Sequence, residues 1–192
     1  MAEFWDIYDE NRNKTGKLAE RDVYEFNEGE YHIVVTGIIF NSKYEILISK
    51  RASWKKYGGL WECNGGSILA GETSLEGILR ELQEELGITF SEKDATFLKE
   101  VKRDKKVPDF KDLWIFQRNI SINEITFPDG EATEAKWVTI EEFINMYNNN
   151  EIVPTIDFGE EEYKIAVRIL KKKKSKRYYD NTELNIPRKN VK

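Results

Sequence analysis

The chain has 192 residues, with 30 Lys and Arg against 35 Asp and Glu, for a formal net charge of −5. That total hides a split: residues 1–167 carry 20 basic and 33 acidic side chains, while residues 168–192 carry 10 and 2. The length suits one domain with an appendage, and 40% hydrophobic with 12% aromatic residues excludes wholesale disorder. An acidic body argues against broad contact with a nucleic-acid backbone. Cys63 is the lone cysteine, so an intrachain disulfide and a thiolate zinc cluster are both excluded. No stretch is long and apolar enough to span a bilayer, so no membrane partner is expected. The polar, acidic N-terminus predicts no signal peptide, and a reduced, cytoplasmic setting is the expectation.

In chain order, Phe4, Trp5, Ile7 and Tyr8 precede a turn-rich stretch, which predicts a hairpin turning near residues 11–15. Buried strands are expected at 33–40 and 45–49. Residues 51–66 read as a loop holding Gly58, Gly59, Gly65 and Gly66. A helix is expected over 74–86, stopped by Gly87. Strands follow at 96–103, 113–120 and 136–139, then a helix at 140–147. Residues 148–154, with three consecutive Asn, read as a linker or turn. A last helix is expected over 160–174, with acids at its start and bases at its end, running into a basic tail. The domain expectation is an N-terminal extension at 1–30, a main domain at 31–158 and a C-terminal helix and tail at 159–192. This order of elements predicts a mixed sheet with helices packed on it.

The central helix carries the chemistry. On a helical wheel Leu75, Ile78, Leu79, Leu82 and Leu86 form one apolar stripe. Glu81, Glu84 and Glu85 occupy a separate arc, stacked on adjacent turns of one face. Like charges at i, i+3 and i+4 weaken an isolated helix by a few tenths of a kcal/mol each, roughly. Folding alone gives no reason for that arrangement, whereas a hard divalent cation does. Glutamate is also a good and usually exposed helix former, so a solvated face is the plain reading of the three acids taken alone. Their neighbours shift the balance. Glu72 lies just ahead of the helix, Arg80 flanks the arc and suits a bridge to Glu72, and Gly65 and Gly66 open the backbone to close approach.

Gly66, Glu72, Arg80-Glu81-Leu82, Glu84-Glu85 and Gly87-Ile88 together match the full signature of the Nudix box. The chain therefore resembles the Nudix hydrolase superfamily, over about residues 31–147. The segment Gly59-Leu60-Trp61 to Asn64-Gly65-Gly66 is similar to the family's approach to the box, with Asn64 where Pro is usual. The resemblance implies an α/β (α+β) fold, an α/β/α sandwich on a mixed sheet. It also implies hydrolysis of a small-molecule diphosphate with Mg²⁺ or Mn²⁺. Glu81, Glu84 and Glu85, with a carbonyl of Gly65 or Gly66, are the implied metal ligands. Glu72 and Arg80 are the implied orienting residues, and Glu81 and Glu131 are candidates for the base. A homodimer is compatible with the family pattern.

The opening Trp5 to Asp9, then Asn13 to Gly16, Glu30 to Ile33 and Ser49 to Arg51, resemble Nudix proteins related to isopentenyl-diphosphate isomerase. That makes an isomerase a rival reading. An isomerase needs a Cys and a His just before the box, where this chain has Gly65 and Ser67, with Cys63 two residues too early. The lone histidine, His32, cannot build such a site by itself. A sensing module that binds a nucleotide without turnover is a second rival, against which the intact box argues. Arg51, Lys55, Phe110 and Trp114 are the candidate substrate contacts, the cations for phosphate and the aromatics for stacking. Trp54 and Tyr57 are further aromatics of that kind.

Overall fold

The structure is a computed structural model that describes residues 2–183. Its strands are β1 (Phe4–Tyr8), β2 (Lys14–Glu20), β3 (His32–Phe40), β4 (Ile46–Arg51), β5 (Trp61–Glu62), β6 (Thr96–Arg103), β7 (Asp109–Gln117) and β8 (Ala132–Val138). Its helices are α1 (Ser74–Leu86), α2 (Ile140–Asn148) and α3 (Glu160–Glu183). The chain divides into two compact units, one ending at Asp157 and one starting at Phe158.

In the first unit, the apolar run of β3 sits at the centre of a sheet ordered β5-β4-β3-β7-β6, and β8 pairs with β4. β3 and β7 are parallel, with His32 opposite Asp109 and Phe40 opposite Gln117. The other pairs are antiparallel, so the sheet is mixed, as the order of elements predicts. β1 and β2 form the expected hairpin. It is fastened to the sheet by reciprocal backbone bonds between Tyr8 and Tyr31 at 2.8 and 2.9 Å.

Two features set up the site. Residues 64–68 run antiparallel beside β3: Gly37 N–H donates to the Asn64 carbonyl and Val35 N–H to that of Gly66, both at 2.8 Å. On β3, Gly37 lets α1 pack closely, because a Cβ there would lie 3.2 Å from side-chain carbons of Ile78 and Leu82. Val35, Ile39, Leu47, Ile78, Leu82, Leu86 and Phe116 make the core between helix and sheet. Burying a side chain such as Leu82 contributes about 2 kcal/mol.

Three expectations need correction. Residues 148–154, expected as a linker or turn, do turn at 149–150 but are not a linker: Trp61 N–H donates to the Glu151 carbonyl and Val153 N–H to that of Trp61, and Ile152 and Val153 are buried. The open edge of β5 recruits this segment to satisfy its own backbone. β5 itself lies inside the stretch read as a loop. Third, β7 starts at Asp109 and ends at Gln117, against an expected 113–120, and β8 starts at Ala132, four residues before the expected Lys136.

In the second unit, α3 runs to Glu183, past the expected end at 174. Glu160, Glu161 and Glu162 fill its first turn and complement the helix dipole. Lys171 to Lys174 fall in the helix interior and not at its C-terminal end. The basic residues from 184 onward lie outside the described residues.

Candidate active site

Thr73 caps α1: its hydroxyl accepts from Glu76 N–H, and the Glu76 carboxylate accepts from Thr73 N–H in return. Gly87 closes the helix with φ of 71°, the left-handed conformation that favours glycine. These two ends fix the rotation of the helix, and with it the direction of every box carboxylate.

Arg80 is the hub. Its Nε and Nη2 grip both oxygens of Glu72 at 2.8 and 3.0 Å. Its Nη1 reaches Glu81 at 2.9 Å and Glu84 at 2.7 Å. Glu72 in turn accepts from Leu69 N–H at 2.8 Å, so the fork of Arg80 ties the entering loop to the carboxylate face.

Glu85 departs from the wheel. It is 4% exposed, not on a solvated arc, and its Oε2 accepts from Gly65 N–H at 2.9 Å. Burial pushes its carboxyl up to about 8, and the charges of Glu62 and Glu81 add to the effect. Burial raises the pKa of Glu81 as well, and that of Glu62. Three carboxyl groups are thus crowded together there, with Arg51 on Glu62 and Arg80 on Glu81.

The donor set fits a hard divalent cation: carboxylate oxygens, with backbone carbonyls close by. Gly66 keeps that space open, since a Cβ there would lie 2.6 Å from Glu81 Oε1. Gly65 is required by close packing, since a Cβ would fall 2.1 Å from the Val35 carbonyl oxygen. As they stand, no three His, Cys, Asp or Glu side chains among the described residues converge to hold an ion. Arg80 draws Glu81 and Glu84 aside, while Gly65 N–H holds Glu85. Ion binding at this face requires these flexible side chains to turn from those partners.

The NUDIX domain family model matches residues 30–156. The chain belongs to the Nudix family. Its relatives include an uncharacterized Nudix hydrolase of Listeria monocytogenes, 35% identical over 156 residues, covering 79% of this chain and 89% of the relative. Among solved structures, a Deinococcus radiodurans protein superposes with a TM-score of 0.65 at 19% identity, covering 86% of this chain and 98% of that one. An isopentenyl-diphosphate isomerase of Pectobacterium atrosepticum is 37% identical over 84 residues, covering 43% of this chain and 46% of its own length. Nudix hydrolases act on phosphorus-containing acid anhydrides and generally need a divalent metal.

Around the Nudix box, the loop ahead of β8 supplies a second acidic group. Glu131 pairs with Lys55, and the Glu131 carbonyl accepts from Ala52 N–H at 2.9 Å. Lys55 feels the charges of Glu85, Glu62 and Asp129, so the 52–60 and 129–131 loops meet beside the box helix. Arg51 pairs with Glu62 at 2.6 Å and lines the adjoining cavities. Glu62 and Asp129 escape a sequence reading. The only signal for Glu62 is an acid flanked by Trp61 and Cys63 in an otherwise apolar pair of positions.

Phe110 and Trp114 do not reach the cleft. Phe110 is 2% exposed and packs on Tyr31 in the core. Trp114 packs against the same core, edge-on to Phe97, with its indole N–H on Ser74 Oγ at 2.9 Å. Strand alternation explains this: both share one face of β7 with Phe116, while Lys111 takes the opposite parity and lines a cavity. Tyr57 lines the wider cavity, and Trp54 is exposed.

Proposed function

We propose that this Nudix protein hydrolyses the diphosphate linkage of a nucleoside diphosphate derivative or a related organic diphosphate, using Mg²⁺ or Mn²⁺. The observation that carries the reading is Glu85, a buried carboxyl group set beside Glu62 and Glu81. Arg51 pairs with Glu62 and Arg80 with Glu81, whereas burial disfavours the ionised form of Glu85, which a bound cation would stabilise. Glu81, Glu84, Glu85 and a carbonyl of Gly65 or Gly66 would hold the ion. A bound divalent cation supplies charge neutralisation on the diphosphate and a water of lowered pKa. Arg80 and Glu72 hold the box in position. Glu81 and Glu131 are the candidates to take the water's proton. Arg51 and Lys55 are the candidate contacts for substrate phosphate. The lone Cys63 is in keeping with a reduced, cytoplasmic setting.

The isomerase reading rests on the partial match to an isomerase. Two observations weigh against it. Cys63 is buried and its thiol is pushed up to about 12 by that burial, which suits packing and not proton exchange. His32 stacks on Trp5 with ring centroids 4.4 Å apart, and its Nδ1 lies 3.0 Å from the Pro108 carbonyl. The test is to mix purified protein with Mg²⁺ and a panel of diphosphates. Released phosphate or monophosphate supports hydrolysis. Conversion of isopentenyl diphosphate to its allylic isomer supports isomerisation, and binding without product supports a sensor.

A further inference from the structure

Beside the box lies a cavity of about 170 Å³ whose lining includes Gly65, Glu62 and Arg51 at one side and Arg103, Lys105 and Lys111 at the other. It is contiguous in lining with a wider cleft of about 380 Å³ that shares Arg51, Glu62, Arg103 and Lys105. The far group of cations is not balanced. Arg103 forks onto Asp109 at 2.6 and 2.7 Å, and Lys105 reaches the same carboxylate at 2.7 Å. Arg103 also meets Asp157 at 3.1 Å, which Lys111 approaches at 3.4 Å. Arg51 and Glu62 cancel each other. Three cations thus share two carboxylates, leaving one positive charge in surplus.

That surplus is out of keeping with its surroundings. The body of the protein carries far more acid than base, and Asp109 and Lys111 are buried in this cluster. Lys111 donates to the Thr155 carbonyl at 2.6 Å and faces Asp157, and Arg103 is forked on Asp109, so the charge in surplus is that of Lys105, whose side chain is 41% exposed and lines both cavities. Burial lowers the Lys111 pKa to about 8. The Arg103 fork is taken up by Asp109, which holds its positive charge in place beside the ammonium groups of Lys105 and Lys111. Clustered ammonium donors next to a fixed guanidinium suit a phosphate dianion. Gly65, whose N–H holds the Glu85 carboxyl group, lines the smaller cavity together with the cations of this cluster.

We infer that Arg103, Lys105 and Lys111 form a phosphate subsite, so that the diphosphate substrate carries a further phosphate on its organic part. The substrate claim rests on the hydrolase reading, whereas the subsite stands on the cluster alone. The experiment therefore has two arms, both with the full chain. In the first, metal is removed with EDTA and melting is followed with inorganic phosphate against chloride at equal ionic strength. At ten times its Kd, phosphate raises the wild-type Tm by about 4 °C. Lys105→Met, at a side chain 41% exposed, loses at least half that rise while its Tm in chloride stays at the wild-type value. No rise in wild type, or an undiminished rise in the variant, overturns the subsite.

In the second arm, Mg²⁺ is present and matched pairs of diphosphates with and without a second phosphate are compared, ADP-ribose and its 2′-phosphate among them. The phosphorylated member of the best pair has a KM at least tenfold lower, and Lys105→Met narrows that gap to under threefold. Equal KM values across every pair overturn the substrate claim. A phosphate shift in the first arm with no hydrolysis of any diphosphate in the second overturns the hydrolase reading and leaves the subsite standing.

Discussion

The Gly65 backbone N–H donates to the buried carboxylate of Glu85 at 2.9 Å, which fastens the loop before α1 to the last turn of that helix. One hydrogen bond thereby joins a glycine that the packing of β3 demands to a glutamate that folding alone would not bury. The two glycines of this loop consequently respond differently to the same substitution.

Gly65→Ala drives a Cβ into the Val35 carbonyl, which is backbone and cannot yield. It is expected to destabilise by about 3 kcal/mol. Gly66→Ala meets only the end of the Glu81 side chain, so it costs about 1 kcal/mol or less but displaces a carboxylate of the box. Urea melts paired with hydrolysis rates check this: Gly66→Ala loses activity out of proportion to stability.

Arg80→Lys keeps the charge and loses the fork on Glu72 together with the simultaneous reach to Glu81 and Glu84. A stability loss of about 1–2 kcal/mol is expected. Hydrolysis falls more than tenfold because the loop and the carboxylates lose their common anchor. A variant with wild-type kcat would show that the hub holds structure only.

His32 provides the pH test, and as the only histidine it gives a single imidazole signal by NMR. Burial lowers its pKa to about 4, against an unfolded value of 6.5. The folded state therefore favours the neutral ring, and the unfolded state takes up the proton first as pH falls. Its contribution to stability is full above pH 6.5 and is lost as pH falls through that value toward 4. The ring signal stays neutral at pH 5.5, and His32→Gln flattens the fall of Tm between pH 6.5 and 5.

Local signals made α1 legible to the residue: the Thr73 cap, Glu76 three positions on, the apolar stripe and the Gly87 stop all act within one segment. The box carboxylates were equally legible because they sit on that helix at fixed spacing. What escaped was non-local. The start of β7 reads as a charged loop because Asp109, Lys111 and Asp112 look solvent-bound. They are instead matched across the fold by Arg103, Thr155 and Asp157, and by Arg12 on Asp112 at 2.8 Å. The burial of Glu85 was hidden for the same reason, since its partner Gly65 comes from the loop beside β3. Phe110 and Trp114 looked free to stack on a substrate only while the parity of β7 was unknown.

The most direct test is Mg²⁺-dependent hydrolysis of organic diphosphates by Glu85→Gln beside wild type. Glutamine retains the volume and an oxygen to accept the Gly65 N–H, but it removes the charge offered to a cation. Activity is predicted to fall about a hundredfold or more, with Tm within about 2 °C of wild type in the absence of metal. A Glu85→Gln protein that folds and keeps most of its Mg²⁺-dependent activity would contradict the assignment of this buried carboxylate to the metal.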